Sequence, residues 1–308
     1  MWLRRSKRSL ALISRLMSKR ILLTGATGYL GSHLAASLTA AGHNVVALKR
    51  KASSLRRLET ILPRITLLDI DGLDLSVPFN RFGQIDAVIH TATSYGRNGE
   101  STSQIVETNL GLPLKLMDEA VAAKTPLFLN TDTALDKFLN AYSLSKTQFA
   151  EWGRHFARQE KIRFLNLRLE HFYGEGDDDT KFTTHVINSC LMNAPELKLT
   201  LGEQKRDFIY IEDVVAAYLL LLEKQESLHG WFVELDLGSG EAVTIREFVE
   251  MVHRLTKSGT RLDFGAIPYR KGEVMHSQAN TEFMRKLGWR CLHTLEQGMK
   301  RVIEGEKR

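Results

Sequence analysis

A chain of 308 residues with 43% hydrophobic and 25% charged residues is long enough to bury a large core and has the composition of an ordinary soluble globular protein. Its longest apolar run, residues 214–222, is far too short to span a bilayer. Of the net charge of +6, five positive charges lie in residues 1–16, on Arg4, Arg5, Lys7, Arg8 and Arg15, so the rest is near neutral and lacks the basic face that nucleic-acid binding requires.

Those first 16 residues have the Arg- and Ser-rich, acid-free composition of an organellar presequence or a membrane-surface segment, but the preferred reading is that Met17 is the natural start. A cytoplasmic protein with no membrane span is expected, with organellar targeting left open by this extension. Cys190 and Cys291 lie far apart without metal-type spacing, which suits a reducing compartment and argues against a disulfide framework or a metal site.

From residue 20 onward, apolar runs alternate with helical patterns. ILLTG is followed by a Gly-rich turn and a helix with Leu30, Leu34 and Leu38 on one face, ended by Gly42 as a left-handed cap. NVVAL, ITLLD and DAVIHTA read as further buried strands. A helix near 104–124 leads to the strand PLFLNT, and a longer helix from about 141 leads to RFLNLRL. Parallel strands need crossover helices, so this alternation predicts an α/β fold with a doubly wound parallel sheet. After Gly174 the rhythm breaks, although IYIED reads as one more strand, followed by a helix that Asp213 would cap. The predicted division is a dinucleotide-binding domain over 17–173 plus about 206–237, and a smaller mixed α/β substrate lobe over 174–205 plus about 238–308.

Two constellations carry chemistry. Gly25-Ala26-Thr27-Gly28-Tyr29-Leu30-Gly31 sits between a strand and a helix, where Gly25 allows the tight turn, Gly28 lets backbone approach a pyrophosphate, and Gly31 lets helix and strand pack closely. The helix N-terminus then offers N–H groups and partial positive charge to phosphates. The next strand runs into Lys49-Arg50-Lys51 instead of the acid that would hold an NAD ribose, so NADP(H) is the preferred cofactor and NAD(H) the alternative. The second constellation is Tyr142-Ser143-Leu144-Ser145-Lys146, whose four-residue spacing places phenol and ammonium on one helical face. A neighbouring cation is expected to lower the Tyr142 pKa toward working pH.

With His90-Thr91-Ala92, Asn109, RLEHFYG (168–174) and RDFIYIED (206–213), these motifs resemble the extended short-chain dehydrogenase/reductase family, the NAD-dependent epimerases and dehydratases that act mainly on nucleotide sugars. The resemblance covers residues 18–300. It implies that Tyr142 is the general acid/base, that Lys146 binds the nicotinamide ribose, and that Thr131 bonds the sugar oxygen, with Thr133 a rival because the Thr131–Tyr142 spacing is short. It further implies cofactor contacts from Gly25, Thr27, Gly28, Tyr29, Leu30, Gly31, Lys49, Arg50, Asp69, Thr91, Ala92 and Lys146. Substrate contacts would come from Arg97, Arg168, Lys181 and Arg206, the last meeting a sugar-nucleotide diphosphate. A homodimer is also possible on this basis.

The stretches TSYGRNGE, LEHFYG, DDTKFT and GSGEAVTIREFVE are similar to those of 4-ketoreductases that act on CDP-4-keto-3,6-dideoxyhexoses in deoxysugar biosynthesis. Family dehydratases follow the catalytic Thr with Asp-Glu, whereas Thr131-Asp132 is followed here by Thr133. NADPH-dependent reduction of a nucleotide-linked 4-ketosugar is therefore expected. An NAD-dependent epimerase or dehydratase is one alternative, and a non-catalytic dinucleotide sensor is another.

Overall fold

The computed structural model describes residues 18–307, so the basic extension and Met17 lie outside the described residues. Strands β1 (Arg20–Thr24), β2 (Asn44–Lys49), β3 (Thr66–Asp69), β4 (Ala87–His90), β5 (Leu127–Thr133), β6 (Arg163–Leu169) and β10 (Phe232–Leu237) form one sheet. Their order is β3–β2–β1–β4–β5–β6–β10, and every neighbouring pair is parallel. This is the expected doubly wound sheet.

Both faces are covered, which is why the strands read as continuous apolar runs. Ile21, Leu23, Leu127 and Leu129 pack with helices Tyr29–Ala40 and Ile211–Lys224 on one side. Leu22, Val88 and Phe128 pack with Leu116, Met117 and Phe149 of helices Leu112–Ala122 and Ala141–Arg158 on the other. The strand order reverses between β1 and β4, and the crevice outside their carboxyl ends is where such sheets bind ligands. Gly42 is left-handed (φ 89°) and closes the first helix with bonds from Gly42 N to Thr39 O and from His43 N to Leu38 O, as its sequence position requires.

The remaining strands make two small sheets. β7 (His171–Tyr173), β9 (Lys205–Tyr210) and β11 (Ala242–Thr244) form one, with β7 parallel and β11 antiparallel to β9. β8 (Glu196–Leu199) pairs in parallel with β12 (Arg261–Phe264) in the other.

Two expectations need correction here. The strand ends within IYIED: Ile209 and Tyr210 close β9, and Ile211 already opens the helix. Asp213 does not cap that helix, whose N-cap is Tyr210 with no side-chain bond. Asp213 is buried at the third helical position and accepts from Leu292 N (3.0 Å), His293 N (3.1 Å) and His293 Nδ1 (3.0 Å). Donors of the 291–293 loop, about eighty residues later in the chain, outcompete the local backbone for this carboxylate.

The helix Tyr29–Ala40 sits directly on the glycine turn. A Cβ on Gly31 would lie 2.9 Å from Ala26 Cα and would also collide with the Gly25 carbonyl. Gly31→Ala is therefore expected to lower unfolding stability by at least about 1–3 kcal/mol, read by urea or thermal unfolding. Unchanged stability would show that helix and turn can separate without cost.

Candidate active site

At the carboxyl end of β1, Gly25 adopts φ 70°, and a Cβ there would come within 2.6 Å of both Ala92 N and Thr91 Oγ1. The Thr24 hydroxyl joins β1 to β4: Thr91 N and Ala92 N each donate to it at 3.2 Å, and it lies 2.8 Å from His90 Nδ1. Thr91 Oγ1 donates back to Thr24 O at 2.7 Å. Tyr29 and Leu30 are buried, so these two residues can offer a ligand only backbone; Thr27 is half-buried and Gly28 exposed. No side chain caps the twelve-residue helix Tyr29–Ala40. A bare backbone cradle at a helix N-terminus fits a pyrophosphate.

At the end of β2, Lys49 is already engaged in an ion pair with Asp69 of β3. Two residues expected at the cofactor thus meet each other. Arg50 is exposed and has no carboxylate partner among the described residues.

The Tyr142/Lys146 helix starts on a capping box: Ser143 N donates to Asn140 Oδ1 (2.9 Å) and Asn140 N to Ser143 Oγ (3.3 Å). Asn109 steadies it from the side, donating to Ser145 Oγ (3.0 Å) and Ser94 O (2.9 Å) while accepting from Ser94 N (2.7 Å). Asn109 lies in a π-helical turn, Glu107–Gly111, inserted between helices Thr102–Val106 and Leu112–Ala122 where one continuous α-helix was expected. Tyr95 of the Ser94 loop packs on Tyr142 with ring centroids 4.8 Å apart.

Thr131 and Thr133 are separated by their partners. The Thr133 hydroxyl accepts from Leu135 N (3.2 Å) and lies close enough to the Tyr142 phenol to oppose the rise in its pKa. Thr131 Oγ1 instead lies 2.6 Å from the hydroxyl of Tyr218 on helix Ile211–Lys224. The hydroxyl preferred from the resemblance is therefore not the one that meets Tyr142.

Asp132, between them, faces the other way. It accepts from Thr133 N (2.8 Å) and Asn166 Nδ2 (2.8 Å), and Asn166 also bonds Asn130 (2.8 Å) and Glu234 (3.1 Å). This polar ladder crosses β5, β6 and β10.

Burial governs the protonation of these groups. It pushes the Tyr142 phenol well above its ordinary value, with Tyr95 and Asp132 adding to the rise and Thr133 and Arg97 opposing it. The expected lowering by Lys146 does not occur, because burial outweighs every nearby charge. Lys146, only 2% exposed, is pushed down to about 8 by burial, with Asp132 opposing. Burial likewise raises Asp132 and keeps His90 neutral.

The other expected substrate residues are all engaged. Arg97 donates to Thr180 Oγ1 (3.1 Å) and stacks over Tyr95 (4.7 Å), which places it beside the Tyr142 cluster. Lys181 pairs with buried Asp177 (2.9 Å) and lies over the Phe172 ring (3.7 Å). Arg168 Nε donates to Asp236 (2.8 Å), and Glu234 lies 3.9 Å from the same guanidinium. Arg206 pairs with Glu273 and donates to Lys205 O, so an incoming anion must displace Glu273. Sequence reasoning singled out neither Tyr218 nor Tyr95 as a site residue, although TSYGRNGE contains Tyr95; only the fold brings Tyr95 onto Tyr142 and Tyr218 onto β5.

The family model described as the NAD dependent epimerase/dehydratase family matches residues 21–233. The chain belongs to this family. Within it, the chain is 34% identical over 294 residues to a CDP-abequose synthase of Salmonella muenchen, covering 93% of this chain and 98% of that one. It is 29% identical over 274 residues to a dTDP-4-dehydro-6-deoxy-D-allose reductase of Streptomyces bikiniensis, covering 77% and 81%. Among solved structures, MoeE5 in complex with UDP-glucuronic acid and NAD superposes with a TM-score of 0.80 at 25% identity, covering 94% of this chain and 99% of that one. A UDP-glucose 4-epimerase of Thermotoga maritima shares the fold, with a TM-score of 0.81 at 20% identity over 94% of this chain and 98% of that one. The chain is thus an oxidoreductase of the extended short-chain dehydrogenase type. No helix among the described residues is long and apolar enough to cross a membrane.

Lys146 generates a pH test with a definite sign. Its folded pKa of about 8 lies below the unfolded value of 10.5. Between the two, the unfolded chain binds the extra proton and stability rises with pH; below about 8 the cost of burying the charge is present in full. The stability of the wild type relative to Lys146→Met is expected to rise by roughly 1–3 kcal/mol from pH 8 to 10.5, measured by urea unfolding. A flat difference would place the lysine titration elsewhere.

Proposed function

We propose that this protein reduces the 4-keto group of a nucleotide-linked deoxysugar, with NADPH as the hydride donor. The carrying observation is a half-buried phenol, held protonated beside Thr133 at the carboxyl end of β5. The one carboxylate on that strand, Asp132, is committed to Thr133 N and Asn166. Net reduction needs a proton donor and no carbon base, and this arrangement matches that demand; dehydration needs the base.

A reduced nicotinamide supplies the hydride when bound. Every other contribution belongs to the chain. The glycine turn and the Tyr29–Ala40 helix terminus receive the pyrophosphate through backbone N–H groups. Lys146 donates to the nicotinamide ribose. As the carbonyl π bond breaks, its electron pair moves to oxygen, and the Tyr142 phenol transfers its proton there, yielding the alcohol. Thr133 keeps the phenol aimed. The nucleotide diphosphate replaces Glu273 at Arg206, and the small sheets hold the sugar against the β5 end. A CDP-linked 4-keto-3,6-dideoxyhexose is the favoured substrate, because the similarity to CDP-abequose synthase spans 93% of the chain at 34% identity.

Arg50 selects the cofactor. Since Lys49 is held by Asp69, Arg50 is the bidentate donor left for a 2′-phosphate, with Lys51 beside it. NADPH is expected to bind at least about tenfold tighter than NADH, and Arg50→Ala to remove most of that preference, read by fluorescence titration. Equal wild-type affinities would overturn this assignment.

Tyr142→Phe is expected to cut ketosugar reduction by roughly two to four powers of ten while leaving NADPH affinity nearly unchanged. A screen of nucleotide 4-ketosugars, following NADPH absorbance and product stereochemistry, is the direct assay. Near wild-type reduction by the Phe variant would remove Tyr142 as proton donor.

A further inference from the structure

We infer that Tyr218 is a positioning residue that turns the Thr131 hydroxyl into a second hydrogen-bond donor for the substrate's carbonyl oxygen. The inference rests on the ketoreductase reading and deepens it.

Thr131 and Thr133 project to the same side of β5, being two residues apart on a strand. Thr131 lies 2.6 Å from the Tyr218 hydroxyl, while Thr133 lies beside the Tyr142 phenol. Tyr218 is fully buried on the helix Ile211–Lys224, packed among Val214, Ala217, Leu221 and Leu222. Phe would satisfy this packing equally well. A phenol at full burial costs free energy unless it is hydrogen-bonded, and Thr131 is its one partner among the described residues.

The direction of that bond follows from acidity. A phenol is a far stronger proton donor than an aliphatic alcohol, so Tyr218 donates and Thr131 Oγ1 accepts. The Thr131 proton is then free for another acceptor, and Thr131 is itself only partly buried. A hydroxyl that already accepts a hydrogen bond is polarised and becomes a better donor. Tyr95 lies close enough to influence both Tyr142 and Tyr218, which places the two phenols around one region of the site. Two hydroxyl pairs thus converge there: Tyr142 with Thr133, which delivers the proton, and Tyr218 with Thr131, which stabilises negative charge building on the same oxygen.

Four proteins test this: wild type, Tyr218→Phe, Thr131→Val and the double variant, with Thr131→Ser as the conservative control. Tyr218→Phe is expected to lower kcat for ketosugar reduction roughly three- to thirtyfold, with substrate KM and NADPH affinity changed less than about twofold. Thr131→Val should fall at least as far, Thr131→Ser should retain most of the rate, and the double variant should be no slower than Thr131→Val. Wild-type kcat in Tyr218→Phe, losses that multiply in the double variant, or a loss confined to KM would each overturn the inference. A wild type that reduces no ketosugar overturns the functional reading instead. The Thr131–Tyr218 bond is then judged by the melting temperatures of the four ligand-free proteins, where less-than-additive losses support the pairing and additive losses overturn it.

Discussion

The Thr24 hydroxyl is the point on which the cofactor side of the site depends. It accepts from two consecutive backbone amides, Thr91 N and Ala92 N, and has a single proton of its own. That proton goes to His90 Nδ1, 2.8 Å away, which fixes the imidazole tautomer with its hydrogen on Nε2. Burial keeps the ring neutral, so the arrangement holds without any charge. His90 Nε2 has no partner among the described residues. A full set of bonds on one nitrogen and an unpaired donor on the other is the cost of locking the ends of β1 and β4 together. Gly25 then turns in the narrow space that remains against Thr91 and Ala92.

Around β5 the governing influence is desolvation. It acts in one sense on each group: it favours neutral phenol in Tyr142, neutral amine in Lys146 and neutral carboxyl in Asp132. The nearby opposite charges reduce these effects without reversing them. Such a site resists ionisation and keeps the proton on the Tyr142 phenol.

The fold was legible in the chain because its signals are local. Buried parallel strands are apolar runs, crossover helices show their period, and Gly25, Gly28, Gly31 and Gly42 stand where turn and cap geometry demand them. Spacing also brought Tyr142 and Lys146 to one helix face. What spacing does not encode is which partner a side chain finds. Asp213 looked like a cap because its long-range donors, Leu292 and His293, carry no sequence mark. Thr131 and Thr133 are equivalent in the sequence, and only the docking of helix Ile211–Lys224 assigns Tyr218 to one of them. Lys49 looked free for a phosphate until β3 placed Asp69 beside it. Protonation was the least legible property, since burial is a sum over the whole fold.

The π-helical turn Glu107–Gly111 amounts to a one-residue insertion in a helix. Each residue advances an α-helix by about 100°, so a single deletion there would rotate everything on one side of it by that angle relative to the other. Leu116, Met117 and Ala120 must stay on the sheet, so the rotation would fall on Asn109 and swing its amide away from Ser94 and Ser145. The helix therefore tolerates substitution along its exposed face far better than a change in its length. Among homologous chains, length in this segment should be held more strictly than residue type.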